Sequence, residues 1–128
     1  MMTNPPITLG QLIMALEKLK PTQYLQFDFC EFRPDGYFSS YRGFYEDLAM
    51  EYTNRGTCQI EDFLPLLKKE IGAVHIGWKG GEYTMGEDTL VWVATEGDVT
   101  RTAVVGVMDF GYLAVIQTAY TQLDKGWP

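Results

Sequence analysis

Hydrophobic positions recur with helical spacing in two stretches of the chain. The first stretch follows Thr8 and Gln11, a capping-box pair in which each side chain bonds the other residue's free backbone N–H, and Pro21 ends it. The spacing predicts a short amphipathic helix over residues 8–19, whose apolar positions are Leu9, Leu12, Ile13, Leu16 and Leu19.

The second stretch has the same spacing but contains a proline. Its apolar positions are Ile60, Phe63, Leu64, Leu67 and Ile71, and Gly72 follows as a natural C-cap. Pro65 is tolerated only in the first turn of a helix or at a kink. We therefore favour a helix that begins late, near Glu61 or Asp62.

The remaining pattern is typical of strands. Residues 24–32 alternate between apolar and polar, Arg33-Pro34-Asp35-Gly36 has the composition of a turn, and a second strand is predicted over residues 45–53 after a loop. Five further strands are predicted after Gly72, over residues 73–77, 82–85, 89–95, 101–108 and 112–120. Glycine turns at Gly97 and Gly111 favour antiparallel neighbours.

These elements predict one α+β domain over residues 1–128, with two helices packed on a mostly antiparallel sheet. A chain of 128 residues with 46% hydrophobic content is long enough for one core and unlike a disordered chain. Residues 122–128 are predicted to be a frayed end.

The charge balance narrows the class of partner. The net charge is −7, from 17 acidic and 10 basic residues. Sequence-independent binding to nucleic acid or to an anionic membrane needs a basic face, so neither partner is expected. The apolar runs are too short to span a bilayer, and residues 1–6 lack the features of a signal peptide. With Cys30 and Cys58 read as free, part-buried thiols, we expect a cytoplasmic protein.

Residues for catalysis or metal binding are few. His75 is the only histidine, which excludes histidine-rich metal sites, and two isolated cysteines do not make a zinc site. A Cys30–His75 pair would lack an orienting third group. Neither a phosphate-binding P-loop nor a dinucleotide fingerprint is present. We therefore predict no cofactor, no metal site and no catalytic residue, although carboxylate-only binding of Mg²⁺ by Asp28, Glu46, Asp47 or Asp109 stays open.

Two loops combine an aromatic residue, a cation and glycine: Tyr41-Arg42-Gly43 and Trp78-Lys79-Gly80-Gly81. Either ring could stack on a base, Arg42 offers phosphate a bidentate fork, and Lys79 offers a point charge. The glycines would let backbone N–H groups approach a ligand. The alternative is that these are ordinary glycine-rich surface loops with cation stems packed on rings. We take all seven residues as candidate ligand-binding residues.

Several sequence blocks resemble those of a small family of accessory proteins from tailed phages and prophages. The blocks are SYRGFYEDLA at 40–49, KGGEYTM at 79–85 and DTLVWVA at 88–94. The segments at 8–12 and 102–107 also fit, whereas Pro65 departs from the pattern. The resemblance implies a phage origin and a role inside the infected host cell, but no mechanism.

Three functions follow, in order of preference. The first is a non-enzymatic, counter-defence binding protein that sequesters a small phosphorylated ligand such as a nucleotide. The second is an acidic, DNA-mimic-like inhibitor of a host nuclease or nucleic-acid-binding complex. The third is a Mg²⁺-dependent hydrolase, which requires Asp28, Asp47 and Asp109 to meet within about 5 Å of one another, given the short metal–oxygen distances of such sites. We also expect a homo-oligomer, because Tyr37, Phe38, Phe44 and Tyr52 exceed the aromatic content that a small monomer's core requires, and an exposed apolar patch often marks an interface.

Overall fold

The computed structural model describes residues 2–122, which form two helices and eight strands. The predicted frayed end lies outside the described residues, apart from Gln122. The helices are α1 (Leu9–Glu17) and α2 (Ile60–Lys68). The strands are β1 (Tyr24–Phe27), β2 (Arg33–Tyr41), β3 (Phe44–Thr53), β4 (Val74–Ile76), β5 (Glu82–Thr84), β6 (Val91–Val93), β7 (Thr102–Asp109) and β8 (Leu113–Tyr120).

Six strands form one mixed sheet in the order β1-β8-β7-β6-β3-β2, and β4 pairs with β5 in a separate hairpin. The pairs β2–β3, β6–β7 and β7–β8 are antiparallel, as is β4–β5. The pairs β1–β8 and β3–β6 are parallel. The predicted α+β class with a mostly antiparallel sheet is therefore confirmed, including the antiparallel neighbours at Gly97 and Gly111.

The two faces of the sheet carry different cores. Leu48, Met50, Val91 and Val93 belong to the large cluster that also contains the buried residues of both helices. Side chains alternate between faces along a strand, so the intervening residues Ala49 and Trp92 point to the opposite face. There they pack in a smaller cluster with Tyr41, Ala94 and Ala103.

The helix predictions were right in position, and one was wrong in detail. In α1 the capping box is present: Gln11 N–H donates to Thr8 Oγ1 over 3.1 Å, and Thr8 N–H donates to Gln11 Oε1 over 2.9 Å. In α2 the late start is wrong, because the helix begins at Ile60 and Pro65 lies inside it. A bond from Gln59 N–H to Asp62 Oδ2, 3.0 Å long, holds the first turn.

The predicted turn at residues 33–36 is also wrong. Those residues begin β2, where a register shift against β3 between Pro34 and Phe38 accommodates them. The chain reverses instead at Cys30 and Glu31, which take positive φ angles of 50° and 55°. Phe32 N–H bonds Phe29 O across this turn over 3.1 Å. Two consecutive positive φ values are the requirement of a type I′ turn, which Asn-Gly satisfies far better than Cys-Glu.

Replacing Glu31 with glycine is therefore expected to stabilise the fold. A left-handed conformation costs a residue with a Cβ roughly 1–2 kcal/mol, and the greater unfolded-state freedom of glycine offsets about 0.5–1 kcal/mol of the gain. Urea denaturation should show a net increase of about 0.5–1 kcal/mol in the free energy of unfolding. Glu31→Ala keeps the Cβ and should show no such gain, so an equal effect of both substitutions would contradict this explanation.

Three of the four aromatic residues that suggested an oligomer pack against other residues of the same chain. Phe38 lies 5.9 Å from Phe63 between ring centroids, and Phe44 lies 6.3 Å from Trp92. Tyr52 contacts Phe29 and Phe32. Of the four aromatic residues that suggested an interface, Tyr37 alone is highly exposed, at 70%. The premise of the oligomer prediction is therefore wrong for the other three. Within residues 2–122, neither helix is long and apolar enough to cross a membrane.

Candidate functional site

Arg42 and Gly43 form the tight turn between β2 and β3, where Tyr41 pairs with Phe44. Arg42 N–H donates to Gly97 O over 2.8 Å, which fixes this turn to the loop between β6 and β7. A Cβ on residue 43 would lie 2.5 Å from Cε2 of the Tyr41 ring. Glycine is therefore required at this position because the tyrosine ring lies against its backbone.

Tyr41 lies in the smaller core and not on the surface. Its ring is fully buried and stacks on Trp92, with centroids 4.6 Å apart and planes 8° apart. Its hydroxyl oxygen accepts the Arg101 N–H over 3.1 Å. Burial raises the pKa of this hydroxyl. The ring has no exposed face for a ligand, so Tyr41 and Gly43 shape the turn and leave Arg42 as its ligand-accessible side chain.

The second loop is the turn of the β4–β5 hairpin. Gly77 N–H donates to Gly81 O over 3.0 Å, and Gly80 N–H donates to Gly77 O over 2.9 Å. Gly80 and Gly81 have φ angles of 89° and 85°, which residues with a Cβ rarely adopt. This conformation leaves Trp78 exposed at 66%, with the exposed Lys79 directly after it in the turn.

The two loops meet although 36 positions separate Arg42 from Trp78 in the sequence. The Arg42 guanidinium carbon lies 3.6 Å from the centroid of the Trp78 ring, within cation–π distance. Arg42 Nη1 also donates to Asp98 Oδ1 over 2.8 Å. The Arg42 side chain is 25% exposed and that of Asp98 63%. We call Arg42, Trp78, Lys79 and Asp98 the Arg42–Trp78 platform.

The platform combines a ring, a fixed guanidinium and a free cation on one surface. The indole faces solvent over much of its area and can stack on a planar group. The guanidinium is held by Trp78 and Asp98, so little rotamer freedom is left to lose on binding. Among the described residues Lys79 forms no ion pair. Such a surface suits a ligand with both a planar ring and a negative charge.

Sequence reasoning found the cations and the ring but missed Asp98. The segment from Glu96 to Asp98 was interpreted only as a hairpin break. The residues around Asp98 in the sequence do not indicate that its carboxylate pairs with Arg42, because this pairing depends on the backbone bond from Arg42 to Gly97. The one local signal was the glycine itself: Gly97 has a φ of 76°, and a Cβ there would lie 2.7 Å from Ser40 O.

The three aspartates of the hydrolase alternative lie at separate places. Asp28 accepts two bonds from Thr118 near the end of β8, whereas Asp109 pairs with Ala114 near its start. Asp47 accepts a bond from Trp92 Nε1 over 2.8 Å. No group of three or more His, Cys, Asp or Glu side chains in residues 2–122 could hold a metal ion. The geometry that the hydrolase requires is therefore not formed.

Asp47 is unusual because its carboxyl is buried, with 5% of the residue exposed. Burial raises its pKa to about 6 from an ordinary value of 3.8. The bond from Trp92 opposes this shift, and the nearby Glu46 charge adds to it. Asp47 is thus close to half ionised near pH 6, next to the Tyr41–Trp92 stack.

The cysteine and histidine residues do not form a nucleophile–base pair. His75 Nε2 bonds Glu70 Oε1 over 2.6 Å, joining β4 to the chain after α2. Both cysteines are free thiols, as predicted. Cys30 is exposed in its turn, which corrects the expectation that both would be part-buried, and Cys58 is buried.

Comparison with known proteins gave no relative: no family model, no curated protein and no solved structure matches this chain.

Proposed function

We propose that this chain is a non-enzymatic binding protein whose Arg42–Trp78 platform takes a small phosphorylated ligand with a planar ring, as in a nucleotide. The observation that carries the proposal is the stack of Arg42 on Trp78. It supports a common site for two loops that were singled out separately for their ring, cation and glycine content.

Each part of the platform has a role in this proposal. The exposed face of Trp78 stacks on the base, which is worth about 1–3 kcal/mol per base in comparable sites. The remaining N–H groups of Arg42 and the Lys79 ammonium bind phosphate oxygens through charge-assisted bonds. Asp98 holds the guanidinium in the absence of ligand and competes with the phosphate for it.

The role proposed for the chain is sequestration inside a host cell, as a counter-defence factor of phage type. The sequence blocks at residues 40–49 and 79–85, which contain Arg42 and Lys79 of the platform, support this context. A sequestering protein needs affinity and no chemistry.

A nucleotide screen tests the proposal directly. Thermal unfolding is followed with mono-, di- and cyclic nucleotides at millimolar concentration, and isothermal titration calorimetry then measures Kd for any hit. A ligand present at 100 times its Kd should add about 2.7 kcal/mol to the free energy of unfolding. Arg42→Ala and Trp78→Ala should each weaken binding by about 5- to 150-fold, because each removes about 1–3 kcal/mol of contact.

Two further variants separate the site from general charge effects. Lys69→Ala removes an exposed cation outside the platform and should leave Kd within twofold of the parent value. Asp98→Asn removes the competing carboxylate and should strengthen binding of the phosphorylated ligand. The absence of any shift with all nucleotides, or an equal loss in Lys69→Ala and Arg42→Ala, would refute the proposal.

A further inference from the structure

A groove runs between the two helices, and no platform residue lines it. One part, of about 520 Å³, lies between the C-terminal half of α1 and the first turns of α2. A second part, of about 410 Å³, lies between the N-terminal half of α1 and the segment that follows α2. Glu17 and Lys68 line both parts, and their ion pair, 2.8 Å long, crosses the groove. The two parts therefore adjoin at this ion pair along the α1–α2 pair, and we call them together the interhelical groove.

The lining of the interhelical groove is mainly apolar. The larger part is lined by the side chains of Leu16, Leu19, Pro21, Ile60, Leu64 and Pro65. Met14 is 58% exposed in the smaller part, and Ile71 is 38% exposed there. Methionine adapts its shape to partners and is common at peptide-binding surfaces. The helices thus leave an apolar stripe along the line where they meet.

The rim of the interhelical groove is acidic. Four carboxylate residues border it, against the single cation Lys68: they are Glu17, Glu61, Glu87 and Asp88. Lys68 is already paired with Glu17. A partner with an acidic face would be repelled, and a neutral apolar ligand would leave the carboxylates without a counter-charge. Charge complementarity therefore favours a basic partner.

Pro65 removes a backbone donor at the same groove. Because proline has no N–H, the Glu61 carbonyl lacks its usual helical donor four residues later. Glu61 and Pro65 both line the larger part of the groove. A lysine or arginine side chain of a partner could bond this carbonyl as well as the Glu61 carboxylate. The proline that interrupts the helix pattern in the sequence thus removes one helical donor from Glu61, a residue of the groove lining.

We propose that the interhelical groove docks a basic amphipathic helix of a partner protein. The apolar face of this helix would lie on the apolar lining of the groove, and its lysines or arginines would face the four rim carboxylates. The groove follows α1, which is about 14 Å long at 1.5 Å per residue, so it would hold about three turns of helix. This helix-in-groove mode depends on anchors at positions i, i+3 or i+4, and i+7 of the partner.

A designed peptide tests the proposal on the full-length protein. The probe is a fluorescein-labelled peptide of about 18 residues with leucine and lysine at amphipathic helical spacing, and the control peptide is a scramble of the same composition. Fluorescence anisotropy at low salt should give a Kd at least tenfold tighter for the patterned peptide, because only it presents one apolar face. Raising the salt should weaken that binding by screening the rim carboxylates.

Paired variants locate the binding. Met14→Ser, in the groove, should weaken the patterned peptide about fivefold, the loss expected for about 1 kcal/mol of apolar contact. Leu66→Ser is the matched control, since Leu66 is 40% exposed on α2 but lies outside the groove. Glu61→Gln should weaken binding more than Glu82→Gln, because Glu82 lies on the hairpin. Chemical-shift mapping of the parent protein with the peptide should place the perturbed amides on α1 and α2.

Three results would overturn the proposal: equal affinity for the scrambled peptide, equal losses in Met14→Ser and Leu66→Ser, or perturbed amides elsewhere than on the two helices. The absence of binding at millimolar peptide would do the same. None of these outcomes bears on the nucleotide experiment, because no residue of the platform lines the groove.

Discussion

Replacing Trp92 with alanine is expected to lower the free energy of unfolding by about 3–5 kcal/mol, the usual loss when a buried tryptophan is truncated. Trp92 is fully buried, stacks on Tyr41 and donates its indole N–H to Asp47. The truncation would leave a cavity in the smaller core and an Asp47 carboxyl without its donor. Urea denaturation at pH 7 measures the loss.

Trp92→Phe is the milder variant at this position. Phenylalanine keeps a ring against Tyr41 but cannot donate a bond to Asp47, so its cost combines the lost indole bond, about 1–3 kcal/mol, with a smaller cavity than alanine leaves. If Trp92→Ala lowers stability by less than about 1 kcal/mol, which is typical of surface positions, the smaller core does not stabilise the sheet as described.

Asp47→Asn is expected to stabilise the protein at neutral pH and not in acid. The pKa of Asp47 is about 6 in the folded chain against an ordinary 3.8, so the folded state binds the proton more tightly than the unfolded state. The contribution of Asp47 therefore favours folding below about pH 4 and is lost as the pH rises through 6. Asparagine mimics the protonated acid and should add up to about 3 kcal/mol above pH 7, at 1.36 kcal/mol per pKa unit.

The measurement is the difference in unfolding free energy between Asp47→Asn and the parent protein, taken from pH 4 to pH 8. It should rise with pH and level off above pH 7. Glu82→Gln, which removes an exposed carboxylate of the hairpin, should give a flat, small difference over the same range. A flat difference for Asp47→Asn would mean that the carboxyl is not desolvated.

Local signals predicted the described helices and strands except β2, whose residues were expected to form a turn and a loop, and they did not predict all of the ends. The capping box of Thr8 and Gln11 and the helical spacing after it were enough for α1, because both are properties of neighbouring residues. The turn at residues 33–36 failed for the same reason: proline and glycine indicate a turn locally, yet the pairing of β2 with β3 absorbs them as an irregular strand. The true reversal at Cys30 and Glu31 carries no glycine, so its composition gave no sign of it.

The parallel pairs lay beyond sequence reasoning. Alternating strands and glycine turns predict neighbours along the chain, and β2–β3, β6–β7 and β7–β8 are such neighbours. The pairing of β1 with β8 and of β3 with β6 depends on the packing of the whole sheet over the helices. No local pattern in β1 indicates that its partner is the last strand.

The sequence predicted only part of the candidate site, because some of its contacts form only in the folded chain. Arg42 and Lys79 stood out because cations are few in this chain and these two lie next to glycine residues. Trp78 stood out as the aromatic neighbour of Lys79. Tyr41 was placed wrongly, since a tyrosine at the end of a strand has the same sequence context whether its ring points inward or outward. Asp98 was missed because its contact with Arg42 exists only once the loop at Gly97 has docked.

The pairing of β1 with β8 has a consequence for how the chain folds. Leu25 lies opposite Ala114, 89 positions later in the sequence. The entropy of closing so large a loop must be lost before the contacts of this strand pair can form. During synthesis, β1 has no strand to pair with until residues 113–116 have left the ribosome, although Leu25 N–H and Phe27 N–H can bond Cys58 O and Phe32 O before that. The β1–β8 pairing is thus a late event in folding, whereas the hairpins β2–β3 and β7–β8 join neighbouring segments and can form earlier.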